Sequence, residues 1–165
     1  MNQSDIALLF DYNYWATSRV LAAAQRATEN ERGLETLLNW QAIQSALAHV
    51  LGAEWIWRVR CQEHHSPSEL ITAADFATLQ DLRGRWDEEE QAMRAYVAGL
   101  TDAELGSLIP YTTTQGMSMQ RLLWHILVHV VNHGTQHRAE AALLLTELGY
   151  SPGDVDLTVY LTERG

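Results

Sequence analysis

Apolar side chains along this chain return every three or four residues in four long stretches, the period of an α-helix with one buried face. Ile6, Phe10, Tyr14, Val20 and Leu21 keep that spacing and predict a first helix over 4–26, with Ser4 or Asp5 available as its cap. A polar break, ATENERG, follows. A second helix is expected from near residue 35 to residue 61, stopped by the segment around Pro67. Phe76, Leu79, Leu82, Trp86, Met93 and Tyr96 predict a third over about 75–99, on which the acidic run 87–90 reads as a solvated face. Residues 101–120 lose the helical period and hold β-branched and aromatic side chains around TTQG, which predicts a short hairpin or ordered loop with Pro110 kept out of any central strand. A fourth helix is expected over about 119–148, capped by Ser118 and ended by Gly149. In the tail Val155, Leu157 and Val159 alternate, as in a short strand or a helical turn. Four amphipathic helices with one irregular insert before the last predict an all-α four-helix bundle, a single domain over 1–165.

The fourth helix carries most of the candidate chemistry. Its histidines, His125, His129, His133 and His137, recur at intervals of four, so each lies nearly above the last on one side of the helix. The rungs drift by about 40° each, and the ends of the ladder differ by about 120°, too far to serve one ion together. With Val130 at the centre of the apolar stripe, Ile126, Leu144, Leu148, Leu123 and Ala141 fall within about 40° of it. His133 and His137 then lie inside or at the edge of the stripe, and His125 and His129 on its flank. One inward histidine is ordinarily a hydrogen-bonded core residue. Two of them at i and i+4 bring two polar nitrogens away from water, and a shared metal satisfies both. The candidate third ligand is His49 on the second helix, which shares its face with Leu38, Ala42, Ser45, Ala46, Gly52, Ala53 and Ile56, most of them small, and is expected to point inward. Those small neighbours fit either close helix packing or a hollow beside the imidazole.

Composition narrows the function. With 165 residues, 47% of them hydrophobic, the chain can bury a sizeable core. A formal charge of −10, with eleven scattered arginines as its only basic side chains, speaks against nucleic acid and anionic membranes as partners. The N-terminus lacks a signal-peptide pattern and no apolar run is long enough for a membrane span, so a cytoplasmic protein is expected. Cys61, the single cysteine, reads as a structural thiol at a helix end, and His64 and His65 as solvent-facing. The six tryptophans read first as core and helix-contact anchors.

Several chemistries drop out on spacing alone. No histidine has a Glu three residues before it, as a ferritin-like di-iron bundle requires. His133-Gly-Thr-Gln-His137 has the histidine spacing of a zincin, but Gly134 stands in place of the general-base Glu. Nucleotide-binding and serine-hydrolase motifs are absent from the sequence.

FDYNYWATSRVL near the start, AHVLGAEWIW in the second helix, LLWHILVHVVNHGTQHR in the fourth and GDVDLTVYL at the end together resemble the DinB family of metalloenzymes, which is distinct from the DNA polymerase sharing that name. The N-H-G-T-x-H-R element is the most specific of these. The resemblance implies a four-helix bundle, usually dimeric, with a divalent metal on His49, His133 and His137. It implies a small-molecule or thiol substrate, since some relatives transfer low-molecular-weight thiols or isomerise thiol adducts. Gln136 stands where many members carry an aromatic, and Ala139-Glu140 where a Gly-Gln pair is common, so a pocket built on those side chains would differ here. Three imidazoles suit zinc or nickel first, with iron and copper as alternatives. The expected function is a metal-dependent hydrolase or thiol transferase, against two other readings: a stress-related interaction protein with a structural metal, and a bundle that binds no metal. A vacant coordination position separates the first from the second.

Overall fold

The computed structural model describes residues 1–30 and 38–165. Helix α1 spans Gln3–Asn30, α2 Leu38–Gln62, α3 Leu79–Ala98 and α4, a single turn, Asp102–Leu105. Strands β1 (Leu108–Thr112) and β2 (Ser118–Leu122) follow, then α5 (Leu123–Glu147) and α6 (Leu157–Arg164). Helix α5 packs on both α1 and α2, and α3 closes the far side against the same two, which makes the expected all-α four-helix bundle with its hairpin before the last long helix. The proposed start of the second helix near residue 35 lies outside the described residues. Among the described residues, no helix is long and apolar enough to cross a membrane.

Local chemistry accounts for most of the ends. Asn2, rather than Ser4 or Asp5, caps α1: its side-chain oxygen accepts from the Asp5 amide at 2.9 Å, and the Asp5 carboxylate accepts from the Asn2 amide in return. Thr78 and Asp81 form the same reciprocal box at the start of α3. Gly149, with φ +86°, ends α5 in the left-handed conformation that glycine tolerates. Residues 118–122 do not begin a helix, however, and Ser118 caps nothing. They pair antiparallel with β1, Pro110 opposite Gln120, because ladder bonds to β1 are available there before the helical stripe begins at Leu123. In a two-stranded sheet both strands are edges, which is why Pro110 is tolerated. The tail forms a helix: Asp156 caps α6, and Tyr160 buries its ring against Tyr12 and Trp15 of α1.

The core divides into two apolar clusters. One gathers Val20, Leu47, Leu51, Leu82, Trp86 and Leu145, the other Ile6, Phe10, Met93, Val97, Leu127 and Val130. Each of the four long helices also buries polar groups: Asn13 and Thr17 on α1, Glu54 on α2, Glu89 on α3 and Arg138 on α5. Glu89 therefore corrects the reading of 87–90 as solvated. It lies on the face shared by Trp86 and Met93, and Arg58 of α2 meets its carboxylate at 2.5 Å, with Arg85 adding a second contact. A buried carboxylate held this way has its charge matched by guanidinium donors.

Candidate metal centre

His133 and His137 stand one turn apart on α5, and His49 faces them from α2. The ring centroids form a near-equilateral triangle of 4.8 Å (His49 to His133), 4.6 Å (His49 to His137) and 4.5 Å (His133 to His137). One nitrogen from each lies within 4.8 Å of the other two, so the three could hold a metal ion. The structure thus brings together the three residues singled out in the sequence and leaves the rest of the ladder apart. His125 sits edge-on to Trp124 at 4.0 Å, and His129 edge-on to Trp57 at 5.6 Å.

The centre lies at the surface groove between α2 and α5, not in the core. His49 is exposed, as are Ala42 and Ser45 beside it, while Ile43, Leu47, Leu51 and Ile56 fill the bundle. The expectation of an inward His49 is corrected accordingly. Gly52, on the same helix, serves a close approach instead: a Cβ there would meet the Ile71 carbonyl oxygen at 2.5 Å. On α5 the buried stripe includes Gly134, Arg138 and Leu145, which turns its centre by about 40° from Val130 and leaves His133 and His137 half-buried at the edge.

The electrostatics of the cluster suit a cation. Burial, followed by the neighbouring imidazoles of His137, His49 and His129, holds His133 down at about 4. Partial burial and then His137 lower His49 as well. Such imidazoles are neutral at pH 7, with lone pairs free for an ion. Among the described residues the buried Nδ1 of His133 has no hydrogen-bond partner. His137 Nδ1 lies 2.8 Å from the Glu140 carboxylate; with Nδ1–H donating to that carboxylate, Nε2 is left as the ligand atom. The residues present therefore fit a divalent ion.

Behind the histidines lies a network that the helical pattern did not reveal. Tyr14 donates to one oxygen of Glu54, and Asn13 Nδ2 donates to the other at 3.3 Å. Asn13 Oδ1 in turn accepts from Arg138 Nη1 at 2.5 Å, so a carboxamide relays between a buried guanidinium and a buried carboxylate. Arg138 also donates to Thr17 and Thr135. These bonds tie α1, α2 and α5 together within two turns of the histidines. Desolvation pushes Glu54 up to about 7, against the opposing pull of Tyr14, and lowers Arg138. The signal for these residues was present in the sequence as FDYNYW, AEW and N-H-G-T-x-H-R, which contain Asn13, Tyr14, Glu54, Gly134 and Arg138.

Fold and site define a helical-bundle protein with a candidate three-histidine metal centre. The DinB family profile matches residues 1–164, and the chain belongs to the DinB family. It is similar to Protein DinB of Bacillus subtilis (strain 168), with 24% identity over 164 residues covering 96% of this chain and 95% of that protein.

Proposed function

We propose that His49, His133 and His137 hold one divalent metal ion, zinc or nickel before iron or copper, and that the centre is catalytic, of hydrolase or thiol-transferase type. The observation that carries this reading is an open cluster of three imidazoles, which among the described residues no fourth His, Cys, Asp or Glu joins. A structural zinc site is ordinarily closed by four protein ligands, whereas three leave a position for water or substrate. A divalent ion bound there would supply Lewis acidity, bringing the pKa of a coordinated water or thiol toward neutrality.

The chain's own groups support that role. Glu140 holds His137 in the required tautomer. Cys61 is no rival nucleophile, because it is buried and burial pushes its thiol up to about 12. The family resemblance adds a homodimer to the proposal.

The test is elemental analysis of untagged protein. Wild type should carry about one metal per chain; His49→Ala, His133→Ala and His137→Ala should each lose it, and His125→Ala and His129→Ala should retain it. Dispensable His133 and His137 would overturn the assignment. The metal-loaded protein should then turn over either activated esters or an electrophile with a small thiol. Turnover of neither, with a metal that fails to exchange its water for azide, would leave only a structural ion.

A further inference from the structure

Beside the three histidines, on the side away from Glu140, lies a cavity of about 280 Å³ lined by Trp57, Tyr111, Arg121, His125, Ile126 and His129. It lies near the small end of the range of ligand pockets, roughly 300–1,000 Å³. Its walls come from four elements, α2, β1, β2 and α5. Trp57 of α2 meets Tyr111 of β1 edge-on, with centroids 4.8 Å apart, and His129 of α5 at 5.6 Å. His129 is in turn 5.6 Å from His133, so the cavity opens one ring away from the candidate metal centre.

The charge around this cavity runs against that of the molecule. The chain has a formal charge of −10, yet none of the six lining residues is acidic. Arg121, exposed at the rim on β2, bonds only to the Gln120 carbonyl and has no acidic partner among the described residues. Behind the aromatic wall, Arg60 is only 6% exposed. Its guanidinium stacks over Trp57 at 4.7 Å and Tyr111 at 5.3 Å, and one nitrogen donates to the Thr112 carbonyl at 3.1 Å. Among the described residues its buried Nε has no hydrogen-bond partner and no carboxylate forms an ion pair with it. Burying a cation without a counterion is costly, and two aromatic faces offset only part of that. The same two rings form the cavity wall, so uncompensated positive charge stands directly behind the surface a ligand would touch.

We propose that this cavity binds the body of the substrate, a small aromatic carboxylate, with its ring against Trp57 and Tyr111 and its carboxylate toward Arg121. The reactive end of such a molecule would point past His129 toward His133. This orientation rests on the metal-centre reading, but binding in the cavity does not. Aromatic contact selects a flat ligand, and the arginines select the anion over a neutral isostere.

Calorimetry with phenylacetate and with phenylacetamide tests the proposal on wild type, Arg121→Gln and His137→Ala. Wild type should bind the acid about tenfold more tightly than the amide, the worth of one charge-assisted hydrogen bond. Arg121→Gln, on an exposed strand, should diminish that preference and leave amide binding unchanged. His137→Ala should bind the acid as wild type does. Equal affinity for acid and amide in wild type, no binding of either, or an undiminished preference in Arg121→Gln would overturn the pocket whether or not metal is bound. Loss of phenylacetate binding in His137→Ala, with Arg121→Gln unaffected, would place the carboxylate on the metal and overturn the pocket while supporting the metal centre. Anion preference intact in a protein that takes up no metal would support the pocket and defeat the metal centre alone.

Discussion

Glu54 is a carboxyl with no solvent around it, and its neighbours decide what that costs. Burial raises it to about 7 from an ordinary value of 4.5, although Tyr14, Asn13 and Arg138 all favour its ionised form. Between those values the native state holds a proton that the unfolded chain has released, so this residue makes stability fall as pH rises from about 4.5 to 7. His133 acts in the opposite sense. Held at about 4, it is neutral in the fold where the unfolded chain would be protonated, so its contribution makes stability rise with pH up to about 6.5. The two effects overlap, and only the difference between variants isolates one of them. Urea denaturation of wild type and Glu54→Gln, in metal-free protein from pH 4.5 to 7, should show wild type losing up to about 3 kcal/mol relative to the variant across the window. Parallel curves would mean that Glu54 is already ionised at the acid end.

At the level of elements, the approach of α5 to α1 depends on Gly134. A Cβ there would lie 2.6 Å from Arg138 Nη1 and 3.0 Å from Asn13 Oδ1. A long side chain could ordinarily swing away, but Arg138 is buried and bonded to Asn13, so moving it breaks the relay to Glu54. Alanine would gain about 1 kcal/mol in helix propensity and lose a buried charge-assisted hydrogen bond worth about 1.5–3 kcal/mol. Gly134→Ala should therefore be net destabilising by about 1–2 kcal/mol in urea denaturation, and it should weaken metal uptake by displacing His133 and His137. A variant as stable as wild type, with unchanged metal content, would show that the relay yields without cost. The glycine that removes the zincin's general base from the motif is thus required by packing.

At the scale of the molecule, the hairpin covers aromatic surface beside the helical bundle. Trp57 packs on Tyr111 of β1, and Trp124 on its neighbour His125, so these two rings are half-buried within one chain. Leu143 on α5 and Leu161 on α6 remain 62% and 43% exposed. The proposed homodimer would cover such side chains. Light scattering at micromolar concentration should give about twice the 18.6 kDa chain mass, and a monomer would count against it.

What the sequence determined by itself was whatever depends on neighbours along the chain. Helical period, the stop at Gly149, the hairpin with Pro110 at an edge, and the pairing of His133 with His137 all follow from spacings of three or four residues and from local backbone chemistry. His49 was legible as a third ligand because it is the one histidine on its helix. Tertiary structure alone decided the rest. Which residues are central on α5 depends on Arg138, which looks like a surface residue until Asn13 from another helix meets it. Glu89 looked solvated until Arg58 of α2 was seen to match its charge, and the placing of His49 in a surface groove follows from how α2 and α5 cross. A period states which residues share a face. Whether a charged residue on that face can be buried depends on a partner from a distant part of the chain, because only a matched charge offsets the loss of water.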